Sequence, residues 1–79
     1  MKRLSAATIV VSFTTDEEAG FTYGMARRLQ HEKLISSYNM FDDHAFLFVS
    51  NKEDVDNICT TVNNEAAKRG LRGTRAEED

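Results

Sequence analysis

The amino-acid sequence predicts an α+β domain with the element order β-α-β-β-α, arranged as a three-stranded antiparallel sheet with two helices on one face. A β-branched run near the start of the chain and a strand-turn-strand pattern in its middle provide the three strands. Each is followed by a segment whose apolar residues recur every three or four positions, as in an amphipathic helix. The 79 residues have room for one such domain and one core.

The first strand is predicted at residues 8–14, where β-branched and aromatic residues follow one another. Ile9, Val11 and Phe13 recur at every second position and define one face of this strand. Val10 points to the opposite face. The first strand therefore carries apolar side chains on both faces.

The first helix is predicted over residues 16–33. Thr15 and Glu18 have the spacing of a capping box, which satisfies two backbone N–H groups at the start of a helix. Gly20 and Gly24 are unexpected inside it, because each glycine costs about 1 kcal/mol relative to alanine. They share one face of the helix, which we interpret as tight packing on the sheet. The alternative is a contact surface for a partner helix or a ligand.

The second and third strands are predicted at residues 35–41 and 44–49. Asp42 and Asp43 form a polar break suited to a tight turn, so the two strands are expected to form a hairpin. We interpret these two acids and the adjacent His44 as turn residues rather than as metal ligands.

The second helix is predicted to begin after Ser50 or Asn51, either of which can cap it, and to end at Gly70. Its apolar positions follow the helical period, namely Val55, Ile58, Cys59, Val62 and Ala66. We assign residues 1–71 to a single domain and residues 72–79 to a polar, mobile C-terminal tail.

This element order resembles a ferredoxin-like plait that lacks its fourth strand or has only a rudimentary one. A right-handed crossover places the first strand beside the third and leaves the first strand as an open edge. Phe46 and Phe48 of the third strand point to one face and Ala45, Leu47 and Val49 to the other, so this strand is apolar on both faces. We interpret Phe46 and Phe48 as core or dimer-interface residues. Because an apolar sheet face needs a cover, we expect a homodimer or a complex with another protein.

The composition excludes several classes of protein. A net charge of −3 argues against a protein that holds a nucleic-acid backbone over its whole surface. The single cysteine, Cys59, excludes an intramolecular disulfide and a Cys/His metal cluster, and we expect it to be buried and inert. No metal or cofactor site is predicted. The basic N-terminus is not followed by a long apolar run, so we expect a cytoplasmic protein with no membrane association.

No catalytic fingerprint occurs in the sequence, and a small enzyme with a site between subunits is the third of our hypotheses. The first is a small non-enzymatic protein-interaction module, such as an adaptor, an inhibitor or a regulatory subunit. It would act through the open face or an edge of its sheet. The candidate interface residues are Val10, Phe46 and Phe48 on the sheet, and Gly20, Gly24, Arg27 and Arg28 on the first helix.

The second hypothesis comes from the sequence AFLFV at residues 45–49, which resembles the aromatic third-strand motif of RNA-recognition-motif domains. Those domains share the β-α-β-β-α order, add a fourth strand and stack bases on exposed aromatic side chains. The resemblance implies that Phe46 and Phe48 bind RNA. His44 and Ala45 stand where that motif has a basic residue and a glycine, and the first strand has no aromatic residue at the matching place.

Overall fold

The computed structural model describes residues 6–79 and arranges them as one antiparallel sheet of four strands with two helices. The strands are β1 (Ala7–Ser12), β2 (Ile35–Met40), β3 (His44–Val49) and β4 (Arg75–Glu78). The helices are α1 (Asp16–His31) and α2 (Val55–Lys68), and one 3-10 turn (Lys52–Asp54) leads into α2. Residues 1–5, the basic N-terminus that we used in predicting a cytoplasmic protein, lie outside the described residues. Within residues 6–79, neither helix has the length and apolar character needed to cross a membrane.

The strand order across the sheet is β2-β3-β1-β4, and all neighbouring strands are antiparallel. As expected from the crossover rule, β1 lies beside β3, with Val10 opposite Phe46. The hairpin of β2 and β3 contains one irregularity between Ile35 and Ser37. The outer strands of the sheet are therefore β2 and β4.

Both helices pack on the same face of the sheet and share one hydrophobic core with it. Ile9 and Val11 of β1 and Leu47 and Val49 of β3 point into this core, and each is at most 1% exposed. The helices contribute Phe21, Met25, Ala26, Leu29, Val55, Ile58, Val62 and Ala66. Each buried aliphatic side chain contributes about 1.5–3 kcal/mol to the stability of the fold.

The helix ends follow the predicted capping chemistry in part. The capping box of Thr15 and Glu18 is present at the start of α1. Gly70 ends α2 in the left-handed conformation, with φ of 72°. Lys33 does the same after α1, with φ of 66°, so α1 is shorter than predicted. The prediction that Ser50 or Asn51 caps the second helix is wrong. A 3-10 turn precedes α2, whose N-cap is Asp54, and neither Asn51 nor Asp54 makes a side-chain capping hydrogen bond.

The fourth strand corrects the predicted three-stranded sheet and the predicted open edge at the first strand. β4 pairs with β1, with Ala76 opposite Val11, so β1 lies inside the sheet. The strand lies in the segment 72–79 that we assigned to a tail. Its sequence, RAEE, contains one apolar residue and therefore lacks the alternation that marks a strand in a sequence. Residues distant in sequence hold it in place instead.

One of these distant contacts is made by Glu18, a carboxylate that is only 3% exposed. It accepts hydrogen bonds from the Thr14 N–H at 2.8 Å, from the Thr14 hydroxyl at 2.9 Å and from the Thr15 N–H at 3.2 Å. Its other oxygen accepts from the Gly73 N–H at 2.6 Å. The hydrogen bond from the Thr14 backbone is the main cause of the lowered pKa of Glu18. A Cβ atom on Gly73 would collide with this carboxylate and with the Thr14 hydroxyl.

Gly20 and Gly24 do not pack against the sheet, so our first interpretation of them is wrong. Both are exposed on the outer surface of α1. A Cβ atom added at either position would have no neighbour within 4 Å. The fold of the described chain therefore gives no steric reason for glycine at these two positions.

Candidate functional site

The face of the sheet away from the helices, here called the open face, is not covered by any described element. Residues on this face alternate along each strand with the residues that point into the core. The register of the strands identifies them as Thr8, Val10, Ser12, Ser37, Asn39, His44, Phe46, Phe48, Arg75 and Glu77. The open face is thus an apolar strip on β1 and β3 with polar residues on β2 and β4.

The structure brings together three of the predicted interface residues at the centre of this face. Val10 lies directly opposite Phe46, and Phe48 is opposite Thr8 in the same strand pair. Val10, Phe46 and Phe48 are each half-buried although no helix packs on them. Contact with another molecule would bury further apolar surface on this face.

An aromatic cluster of Phe41, His44 and Phe46 extends the apolar strip toward the β2–β3 turn. The Phe41 and His44 rings are stacked with centroids 4.9 Å apart. Phe46 meets each of them edge to face, at 5.7 Å from Phe41 and 5.2 Å from His44. Phe41 is 49% exposed, the largest exposed fraction among the large apolar side chains of residues 6–79.

Phe41 and His44 were missing from the predicted interface. The position of His44 could have been found from the same alternation that identified the phenylalanines, because His44, Phe46 and Phe48 are spaced two apart. We interpreted His44 as a turn residue at the start of the third strand and Phe41 as the last residue of the second, and we assigned neither to the interface. The cross-strand contact between them depends on the register of the hairpin, which the sequence pattern does not specify.

His44 also forms a close polar pair with its neighbour. Its Nδ1 atom lies 2.7 Å from Asp43 Oδ1, and this hydrogen bond is the main cause of the lowered pKa of Asp43. Ser12 is opposite His44 in the β1–β3 register, but no hydrogen bond joins the two side chains in the described chain. A nucleophile needs a base within hydrogen-bond distance, so this group is not an assembled catalytic site.

The charged residues around the open face are mainly acidic. Asp42 and Asp43 lie at the β2–β3 turn, and Glu77 lies opposite Val10 on β4. Arg75 is the one basic residue among the open-face positions, and its guanidinium is 3.7 Å from the Glu77 carboxylate. This acidic border of the open face does not favour binding of a polyanion such as a nucleic-acid backbone.

The other four predicted interface residues lie on a separate surface. Gly20, Gly24, Arg27 and Arg28 are all exposed on α1, in the layer on the other side of the sheet from the open face. The Arg27 guanidinium lies over the ring of Tyr23, 5.8 Å from its centroid. The basic residues of α1 and the apolar strip of the sheet therefore do not form one continuous binding surface.

Cys59 lies half-buried against the core on α2. Burial raises the pKa of its thiol, and the negative charges of Asp56, Glu78 and Glu77 raise it further. Because the thiolate is the reactive form, this environment makes Cys59 a poor nucleophile near neutral pH.

In comparisons with known proteins, no family model and no curated protein matches the sequence, so the function is argued from the surfaces described above.

Proposed function

We propose that the protein is a small non-enzymatic interaction module, acting as an adaptor, an inhibitor or a regulatory subunit. It binds a protein partner through the open face and is a homodimer in solution. The observation that carries this proposal is the uncovered apolar centre formed by Val10, Phe46 and Phe48, with the exposed Phe41 beside it. Full burial of two exposed phenylalanine side chains is worth about 3–6 kcal/mol before the costs of association, and the half-buried Phe46 and Phe48 have only part of this left to gain against a partner.

We further propose that the domain is a complete ferredoxin-like plait. The support for this assignment is the β-α-β-β-α-β order, the strand order β2-β3-β1-β4 and the position of both helices on one face. Folds of this class host many functions, so the plait itself does not select one. The function therefore has to be inferred from the chemistry of the open face.

The experiment that tests the interaction proposal compares Phe48→Asp with the wild-type chain. Each is used as bait in a lysate of the native host treated with nuclease, and the captured proteins are quantified by mass spectrometry. We expect a stoichiometric protein partner on the wild-type bait and its loss from the Phe48→Asp bait, because a carboxylate at the centre of an apolar interface is desolvated without a partner.

Asn64→Asp is the matched control, because it adds the same charge at an exposed position on α2, away from the open face. Val10→Asp is a second variant on the face in case Phe48→Asp fails to fold, and circular dichroism checks both. Capture of the same partner, at the same stoichiometry, by either folded face variant would overturn the proposal.

RNA binding on the open face is the second candidate function. It is favoured by one observation, that Phe46 and Phe48 lie on the uncovered side of the sheet as base stacking requires. The acidic border of Asp42, Asp43 and Glu77 counts against it. Fluorescence titration with single-stranded RNA should then show binding that weakens with salt and is lost in the Phe46→Ala, Phe48→Ala double variant.

A further inference from the structure

The two edges of the sheet differ in whether their outward backbone groups are free. On β4, the Asn63 side chain from α2 donates from Nδ2 to the Ala76 carbonyl at 3.0 Å. Its Oδ1 accepts from the Ala76 N–H at 2.8 Å. An amide side chain therefore occupies the place that a further strand would take beside Ala76. β4 is also highly charged, which discourages pairing with another strand.

The β2 edge is different. The Phe41 N–H donates to the His44 carbonyl at 2.8 Å, so this residue pair is hydrogen-bonded across the hairpin. Hydrogen-bonded and non-hydrogen-bonded pairs alternate along an antiparallel ladder. In the register of β2 and β3, Met40 and Tyr38 are then the non-hydrogen-bonded positions, and their N–H and C=O groups point outward from the sheet.

Only the start of this edge is capped by a side chain. The Gln30 amide donates from Nε2 to the Ser36 carbonyl at 3.1 Å. Beyond it, no side-chain hydrogen bond within residues 6–79 reaches the outward backbone groups of Tyr38 and Met40. The sequence of β2, ISSYNM, contains no charge and no proline, the two devices that most often protect an edge strand.

We propose that β2 pairs antiparallel with β2 of a second copy of this chain, with Asn39 of both copies at the two-fold axis. This inference rests on the homodimer part of the proposed function and names the surface that forms it. In this register Tyr38 of each copy faces Met40 of the other. Both residues have outward N–H and C=O groups, so each of the two pairs forms two hydrogen bonds.

A second copy fits this edge better than a foreign peptide because the edge is its own complement. The outward residues are two positions apart, so a two-fold rotation brings donors onto acceptors without a shift of register. The pair at the axis is uncharged, and two facing Asn39 side chains on the open-face side can hydrogen-bond to one another. No like charges oppose each other along the paired strands.

The two-fold axis of this pairing is perpendicular to the sheet. The two sheets of four strands would therefore join into one continuous sheet, with both open faces on the same side. Phe41 of one copy would lie beside Ser37 of the other. The edge dimer leaves the apolar centre at Val10, Phe46 and Phe48 available to a different partner.

The test places charges at the axis. Asn39→Asp and Asn39→Lys each oppose two like charges in the dimer but leave an exposed residue in the monomer. Sedimentation equilibrium at micromolar concentrations should show dimerisation weakened by up to about fivefold in each variant. An equimolar mixture of the two should regain a dimer, because the charges are then complementary. Asn64→Asp and Asn64→Lys are the matched controls and should dimerise as the wild type does.

Amide hydrogen exchange provides a second readout specific to the register. The Tyr38 and Met40 amides should be protected in the wild-type dimer and exchange rapidly in the Asn39 variants, whereas core amides of β1 should not change. A wild-type dimer whose Tyr38 and Met40 amides exchange freely would overturn the inference. So would Asn39 variants that dimerise normally, or that both fall apart with no recovery on mixing.

The outcomes separate this inference from the proposed function. If Phe48→Asp loses the captured partner but remains a dimer, both proposals stand. If Phe48→Asp dissociates the dimer and the Asn39 variants do not, the dimer forms through the open face and the edge pairing is wrong. A wild-type monomer at micromolar concentration also refutes the edge pairing, while the partner capture still decides the role of the open face.

Discussion

Replacing both exposed glycines of α1 with alanine should stabilise the protein. Gly20 and Gly24 lie inside a helix of 16 residues, and neither has a positive φ angle. An added Cβ atom meets nothing within 4 Å at either site. The substitution therefore brings the helix propensity of alanine without a steric penalty, and it lowers the conformational entropy of the unfolded chain.

The expected gain is about 0.4–1 kcal/mol at each site, hence about 1–2 kcal/mol for the double variant. This figure is the sum of the two single effects; because the added methyl groups lie one helical turn apart, the two single variants measure any coupling between them. For a domain of this size, 1 kcal/mol shifts the melting temperature by about 4–8 °C. The Gly20→Ala, Gly24→Ala variant should melt roughly 4–16 °C above the wild type.

Thermal and urea unfolding followed by circular dichroism measure this gain. Gly70→Ala is the matched control, because the same substitution at φ of 72° should destabilise the protein, by about 1 kcal/mol. A loss of stability in the double variant would refute the reasoning. It would mean that another molecule closely approaches the outer surface of α1 in solution, which is the alternative role of Gly20 and Gly24.

Three further predictions follow from two side-chain contacts and one backbone angle. Glu18 has a lowered pKa in the folded protein, so the stability that its carboxylate contributes is present above about pH 4.5 and is lost as the pH falls through the folded-state pKa. Glu18→Gln should therefore reduce the fall in the free energy of unfolding at acid pH. Asn63→Ala should lower the free energy of unfolding by about 1–3 kcal/mol and speed amide exchange at Ala76. Lys33→Gly should raise the melting temperature, by the equivalent of up to about 1 kcal/mol, because Lys33 has φ of 66°. Chemical and thermal unfolding measure all three variants. A variant that does not show its expected change in stability would contradict the contact or backbone angle from which the change was predicted.

The elements with strong periodicity were predictable from the sequence. The third strand has the predicted bounds, residues 44–49, because a short run rich in aromatic residues follows a turn signal. The apolar face of α2 has the predicted positions because its apolar residues follow the helical period. The capping box of Thr15 and Glu18 is local, so three residues of spacing were enough to identify it. Alternation also shows that Val10 points to the opposite face from Ile9 and Val11, and that Phe46 and Phe48 point to the opposite face from Leu47. It does not show which of the two faces the helices cover.

The parts that failed depend on contacts between distant residues. β4 is specified by the amide of Asn63 and the carboxylate of Glu18, which lie 13 and 55 positions away from the backbone groups they bind. No local pattern in the sequence RAEE contains that information. The exposure of Gly20 and Gly24 was missed for a similar reason. Their spacing in the sequence shows that they share one face of the helix, but it does not show whether that face packs on the sheet.

The amide of Asn63 limits how far this chain can assemble. A subunit with two unprotected sheet edges can add neighbours on both sides and grow into a fibre. In the proposed dimer the β2 edges of both subunits are paired with each other, and at the opposite end of each sheet Asn63 occupies the outward backbone groups of Ala76. The side chain that holds the last strand in place would then also oppose the growth of a polymer.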